Sequence, residues 1–122
     1  MASKFDLTGE YCIDQGAKYS ITLSETDDDG NPIDFTLWDF RGELKVSAQD
    51  SVAVAEFTFT KTSATEVDCI LTSDETKAIT CIGTNYSEKT VLYYDIERYI
   101  LDDVVRMING KAEVSPNITK EA

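Results

Sequence analysis

The sequence predicts an all-β fold, a sandwich of two antiparallel sheets with about seven strands and at most one short helix. Three observations carry this expectation. Apolar residues recur at every second position through most of the chain, the period of a strand buried on one face. Turn-forming residues break these stretches at regular intervals, as in sandwiches with many short strands. Only Ser73 to Ile79 reads as a helical turn.

Taken in order, the first clear alternation runs from Ala17 to Leu23, with Ala17, Tyr19, Ile21 and Leu23 on one side and Lys18, Ser20 and Thr22 on the other. A second strand is predicted from Trp38 to Val46. There Trp38, Phe40, Gly42, Leu44 and Val46 alternate with Asp39, Arg41, Glu43 and Lys45, so the second face is charged and meets solvent. Ala55, Phe57 and Phe59 mark a third strand and Val67, Cys69 and Leu71 a fourth, joined by a Ser-Ala-Thr turn. β-Branched and aromatic residues suit such half-buried surfaces.

In Ser73 to Ile79, Ser73 is the expected cap, with Thr76 in place of the Glu or Gln that completes a capping box. Leu92, Tyr94 and Ile96 line the inner face of a longer strand. After Asp102-Asp103 the chain returns through Val104, Arg106 and Ile108, then Ala112 and Val114, and stops at Ser115-Pro116, because proline cannot donate to a ladder. Asn109-Gly110 allows two readings: a Gly bulge within one long strand, which is preferred, or a two-residue hairpin turn.

The chain has 122 residues, the size of one domain with a single core. It is 42% hydrophobic, with five Phe, six Tyr and one Trp to bury. The expected division is an N-terminal arm (1–9), a sandwich domain (10–115) and a C-terminal tail (116–122). Both ends lie outside the clear alternation and are expected to be removable without emptying the core.

Eleven Lys and Arg stand against 23 Asp and Glu, a formal charge of −12. Such a surface repels phosphate backbones and anionic lipid, so neither nucleic acid nor a membrane is an expected partner. It also repels other copies, so assembly requires a specific patch and depends strongly on salt. No signal peptide or long apolar span is present, and synthesis in a cytoplasm is expected. Cys12, Cys69 and Cys81 match no zinc or disulfide spacing and are expected as reduced, mostly buried thiols.

The chain has no histidine. That removes the usual base near neutral pH and the usual activator of a Ser or Cys nucleophile. Carboxylates are numerous, but no two are singled out as an acid/base pair. The chain is accordingly expected not to be an enzyme, with no catalytic, cofactor-binding or metal-binding residue and no cofactor.

Within Thr26 to Asn31, Asp27, Asp29 and Gly30 fit three positions of a calcium loop. Glu25 and Thr36 fall where the first and last ligands belong, and the flanks read as strands. A solvated turn is the simpler reading. Trp38 begins an apolar face and is expected in the core rather than as a ligand platform. Asn117-Ile118-Thr119 matches a glycosylation sequon, which has no meaning without secretion.

Gln15-Gly-Ala-Lys-Tyr-Ser-Ile-Thr-Leu23, followed by Asp29-Gly-Asn-Pro-Ile-Asp-Phe-Thr36, resembles the opening of small immunoglobulin-like domains of tailed-phage structural proteins. The similarity continues through Arg41-Gly-Glu-Leu-Lys45 and Tyr94-Asp-Ile-Glu97. It closes with Gly110-Lys-Ala-Glu-Val-Ser-Pro-Asn-Ile-Thr119, so nearly the whole chain is covered. The chain departs from the common pattern at Leu37-Trp38 and in its three cysteines.

The resemblance extends to the N-terminal domain of upper baseplate proteins. It implies an immunoglobulin-like sandwich and a non-enzymatic structural role in the virion, as a docking or adaptor module of the tail, baseplate or fibre attachment. The expected partners are other phage structural proteins, in multiple copies. Capsid decoration or collar protein is the alternative within this class. A cation- or carbohydrate-binding module, using the 25–34 loop or Trp38 and nearby tyrosines, is the alternative outside it.

Overall fold

In a computed structural model, residues 3–47, 49, 52–81 and 88–116 are described. The chain forms an all-β sandwich. Its strands are β1 (Ser3–Lys4), β2 (Ile13–Asp14), β3 (Tyr19–Leu23), β4 (Asp39–Lys45), β5 (Ala55–Glu56), β6 (Thr58–Lys61), β7 (Val67–Leu71), β8 (Thr90–Ile100) and β9 (Asp103–Ser115). One helix, α1 (Ser73–Lys77), lies between β7 and β8.

The larger sheet runs β1-β9-β8-β4-β5, with β2 also on β9, and the smaller runs β3-β7-β6. The central order, with β9-β8-β4 facing β3-β7-β6, is that of an immunoglobulin sandwich. The facing sides bury Leu44, Leu92 and Ile96 against Leu23, Val67 and Leu71. An aromatic run crosses this core: Phe35 meets Phe40 edge-on at 5.0 Å, Phe40 stacks on Phe59 at 5.6 Å, and Phe57 meets Tyr94 at 6.2 Å. These offsets suit the ring quadrupoles.

Several sequence expectations need correction. The sheets are not purely antiparallel, because β1 and β2 both run parallel to β9. Residues 3–9 are not an arm outside the sandwich: Leu7 is fully buried and bridges to Ala112. Phe5 N–H donates to the Asn109 carbonyl and Leu7 N–H to that of Lys111. The Tyr94 hydroxyl donates to the Phe5 carbonyl at 2.5 Å. Gly110 permits this approach, since a Cβ there would collide with the Phe5 carbonyl. Residues 1–2 and the tail beyond Pro116, including the 117–119 sequon, lie outside the described residues.

The single strand expected through Ala55, Phe57 and Phe59 is divided. β5 pairs with β4 in the large sheet and β6 with β7 in the small one, so the chain changes sheets at Phe57. In β9 the strand is continuous, as preferred, but its irregularity is not at Gly110. Ile96 faces Ile108 and Glu97 faces Arg106, leaving Met107 as the extra residue. Met107 is therefore buried and Arg106 exposed.

The helix is capped by Thr72 rather than Ser73. Its hydroxyl accepts from Glu75 N–H while the Glu75 carboxylate accepts from Thr72 N–H, a complete capping box. Thr76 is buried and ties the helix to the turn before β3, accepting from Gly16 N–H at 3.0 Å and donating to the Ala17 carbonyl at 2.8 Å. Among the described residues no helix is long and apolar enough to cross a membrane.

Candidate functional site

Strand alternation places every second side chain of β4, β8 and β9 on the outer face of the large sheet. Register arranges these side chains in three rungs. Lys45 lies opposite Tyr93, which lies opposite Lys111; Glu43 lies opposite Asp95, which lies opposite Asn109, with Lys4 beyond it; Arg41 lies opposite Glu97, which lies opposite Arg106. Together they line a cleft of about 400 Å³, floored by Gly42, Tyr94 and Gly110.

Five of the chain's eleven Lys and Arg reach this cleft, against the three carboxylates Glu43, Asp95 and Glu97. Its formal charge is thus +2 in a chain of −12. No single strand carries the cluster. It is assembled by cross-strand pairing, in which directly opposed residues come within reach of one another.

The two arginines are engaged. Arg41 Nε donates to Glu97 Oε1 at 2.8 Å, and its guanidinium lies 5.0 Å from the Tyr99 ring centroid. Its hydrogen bond to the Glu97 carboxylate raises the Arg41 pKa further. Arg106 Nε stands 3.7 Å from Asp95 Oδ2. Partial burial, then the Glu97 carboxylate and more weakly that of Glu43, hold the Asp95 carboxyl above its ordinary value, against the opposing pull of Arg106 and Lys45. Lys4, Lys45 and Lys111 form no ion pair among the described residues. They form a three-ammonium seat, with Lys45 and Lys111 on either side of half-exposed Tyr93 and Lys4 beyond Asn109 on the next rung.

The residues weighed from the sequence lie elsewhere. Asp27 Oδ1 accepts from the N–H groups of Asp29 and Asn31, both at 2.9 Å, and Gly30, at φ 84°, closes the turn. The Thr26–Pro32 bridge secures the base of this turn, leaving Asp28 and Asp29 exposed at its tip. Glu25 is held by Arg98 and does not face the turn. Among the described residues no group of three His, Cys, Asp or Glu is placed to hold a metal ion.

Trp38 is half-buried rather than fully in the core, and one ring face is covered by the Arg98 guanidinium at 4.2 Å. Cys69 is buried and burial pushes its thiol up, away from the reactive thiolate. Cys12 and Cys81 are half-buried. The Tyr19 and Tyr94 hydroxyls are likewise raised by burial, and both are hydrogen-bond donors, to Tyr11 and Phe5 carbonyls.

Chemically, the cleft suits binding. It offers ammonium and guanidinium donors for carboxylates, an aromatic for apolar contact and a shallow track along the strands. Alternation alone puts Arg41, Glu43 and Lys45 on an outer charged face and does not reveal the site. The same period-two signal in Tyr93-Asp95-Glu97 and at Lys111 is present, but only register joins them. The chain matches no protein-family model and no curated protein.

Proposed function

We propose that the chain is a non-enzymatic structural protein of a tailed phage particle, a docking or adaptor module of its tail, baseplate or fibre attachment. The observation that carries docking is the cationic cleft: a net-positive, sheet-wide surface on a strongly acidic chain, with three ammonium groups that form no ion pair among the described residues. Such a patch selects a complementary neighbour and rejects most others. The phage assignment rests on the resemblance through residues 15–36, 41–45, 94–97 and 110–119. The lack of histidine is in keeping with a role without catalysis.

The test uses gradient-purified particles of the phage that encodes the chain. Wild-type chain is expected at a fixed copy number per particle. Lys45→Glu/Lys111→Glu is expected to fold, since Lys111 is exposed and Lys45 is on the outer face, yet to incorporate poorly. Absence of the wild-type chain from particles overturns the structural role.

A further inference from the structure

We propose that the cleft receives the acidic turn of a second copy of this chain, so that copies join tip to cleft. The inference deepens the docking reading by naming the partner of that surface.

The donor is preformed. The turn is closed by Asp27 N–H donating to the Asn31 carbonyl and Gly30 N–H to that of Asp27. The Asp27 carboxylate is spent on the turn's own backbone. Asp28 and Asp29 are exposed at the tip, where no cation of the same chain forms an ion pair with them among the described residues. A rigid tip loses little conformational entropy on docking.

The acceptor has matching chemistry. Lys45 and Lys111 flank Tyr93, and Lys4 lines the same cleft one rung along, beyond Asn109, offering ammonium donors to two carboxylates. The carboxylates of Glu43 and Asp95 lie on the next rung and repel an anion placed there, which directs the tip to the Tyr93 rung. A volume near 400 Å³ is of the size that holds a few side chains rather than a whole domain.

The charge distribution favours this pairing over face-to-face contact. Two clefts repel and two tips repel, whereas tip and cleft attract. The contact is therefore heterologous: each copy donates one tip and accepts one, and the assembly closes into a ring or extends as a filament. Net repulsion between chains of charge −12 keeps the contact weak unless copies are concentrated, as they are inside a particle.

Sedimentation velocity of the full chain tests this. Wild type is expected to self-associate at low salt, with association weakened roughly tenfold or more as salt rises and screens the pair. Asp28→Lys/Asp29→Lys retains a cleft without a tip, and Lys45→Glu/Lys111→Glu a tip without a cleft. Each alone is expected to stay monomeric, with an unchanged β spectrum, while an equimolar mixture associates again, because the native tip of one variant fits the native cleft of the other and the Lys tip faces the Glu-bearing cleft. A monomeric wild type at low salt and high concentration, or failure of the mixture to pair, overturns the proposal. Normal incorporation of Asp28→Lys/Asp29→Lys into particles overturns it as well and leaves the docking reading standing, whereas absence of the wild-type chain removes that reading itself.

Discussion

Arg98 grips Glu25 with two hydrogen bonds, Nε to Oε1 at 2.8 Å and Nη2 to Oε2 at 3.1 Å, while its guanidinium lies 4.2 Å from the Trp38 ring centroid. The pair ties the base of the acidic turn to β8. The cation is the buried member, with a side chain 9% exposed against 28% for Glu25, so the two truncations are unequal. Glu25→Ala strands a buried guanidinium and is expected to cost about 2–3 kcal/mol. Arg98→Met leaves a carboxylate that can rehydrate and is expected to cost about 1 kcal/mol. Urea unfolding of both variants checks the order.

The N-terminal segment is structural rather than dispensable. Leu7→Ala is expected to cost about 3 kcal/mol, because it opens a cavity under a fully buried side chain. Gly110→Ala forces the Phe5 carbonyl away from β9 and is expected to cost about 2 kcal/mol. Denaturant midpoints measure both, and deletion of residues before Glu10 is expected to destabilise the fold instead of leaving it intact.

Thr76→Val keeps the shape of a buried side chain but removes the hydroxyl that joins α1 to Gly16 and Ala17. A loss of about 1–3 kcal/mol is expected, because Gly16 N–H loses its acceptor. Hydrogen exchange should show the loss first as faster exchange at Gly16.

Asp95 supplies a pH signature. Its carboxyl titrates above the ordinary value of 3.8, so the folded chain holds this proton more tightly than the unfolded chain. Ionised Asp95 therefore lowers stability at pH above its folded value, and the loss disappears as pH falls below the unfolded one. Asp95→Asn is expected to stabilise the chain at neutral pH by less than about 1 kcal/mol, since solvent screens a half-exposed charge. The gain should fade as the pH approaches about 4, in thermal melts across that range.

The long alternating strands were legible because each has one face on the core: Tyr19 to Leu23, Phe40 to Leu44, Val67 to Leu71 and Leu92 to Ile96. The sheet switch at Phe57 was not. Both sheets look onto one core, so a strand that passes between them keeps the same residues inward and its alternation is undisturbed. The bulge at Met107 was hidden by Val104-Val105 and Met107-Ile108, apolar pairs compatible with either phase. Ser3–Lys4 and Leu7 are too few to show a period, and their place in the sandwich is imposed by pairing with β9. Arg41 and Lys45 were recognisable as surface residues, but the cleft exists only once register sets Lys45 beside Tyr93 and Tyr93 beside Lys111.

The most direct measurement, on the proposal that a tailed phage encodes this chain, is a residue-resolution reconstruction of that phage's particle. The expected result is the sandwich in repeated copies, with the Lys4, Lys45 and Lys111 seat covered by carboxylates of a neighbouring subunit. A particle without the chain contradicts the structural role, and one that holds it with this seat open to solvent contradicts docking through the cleft.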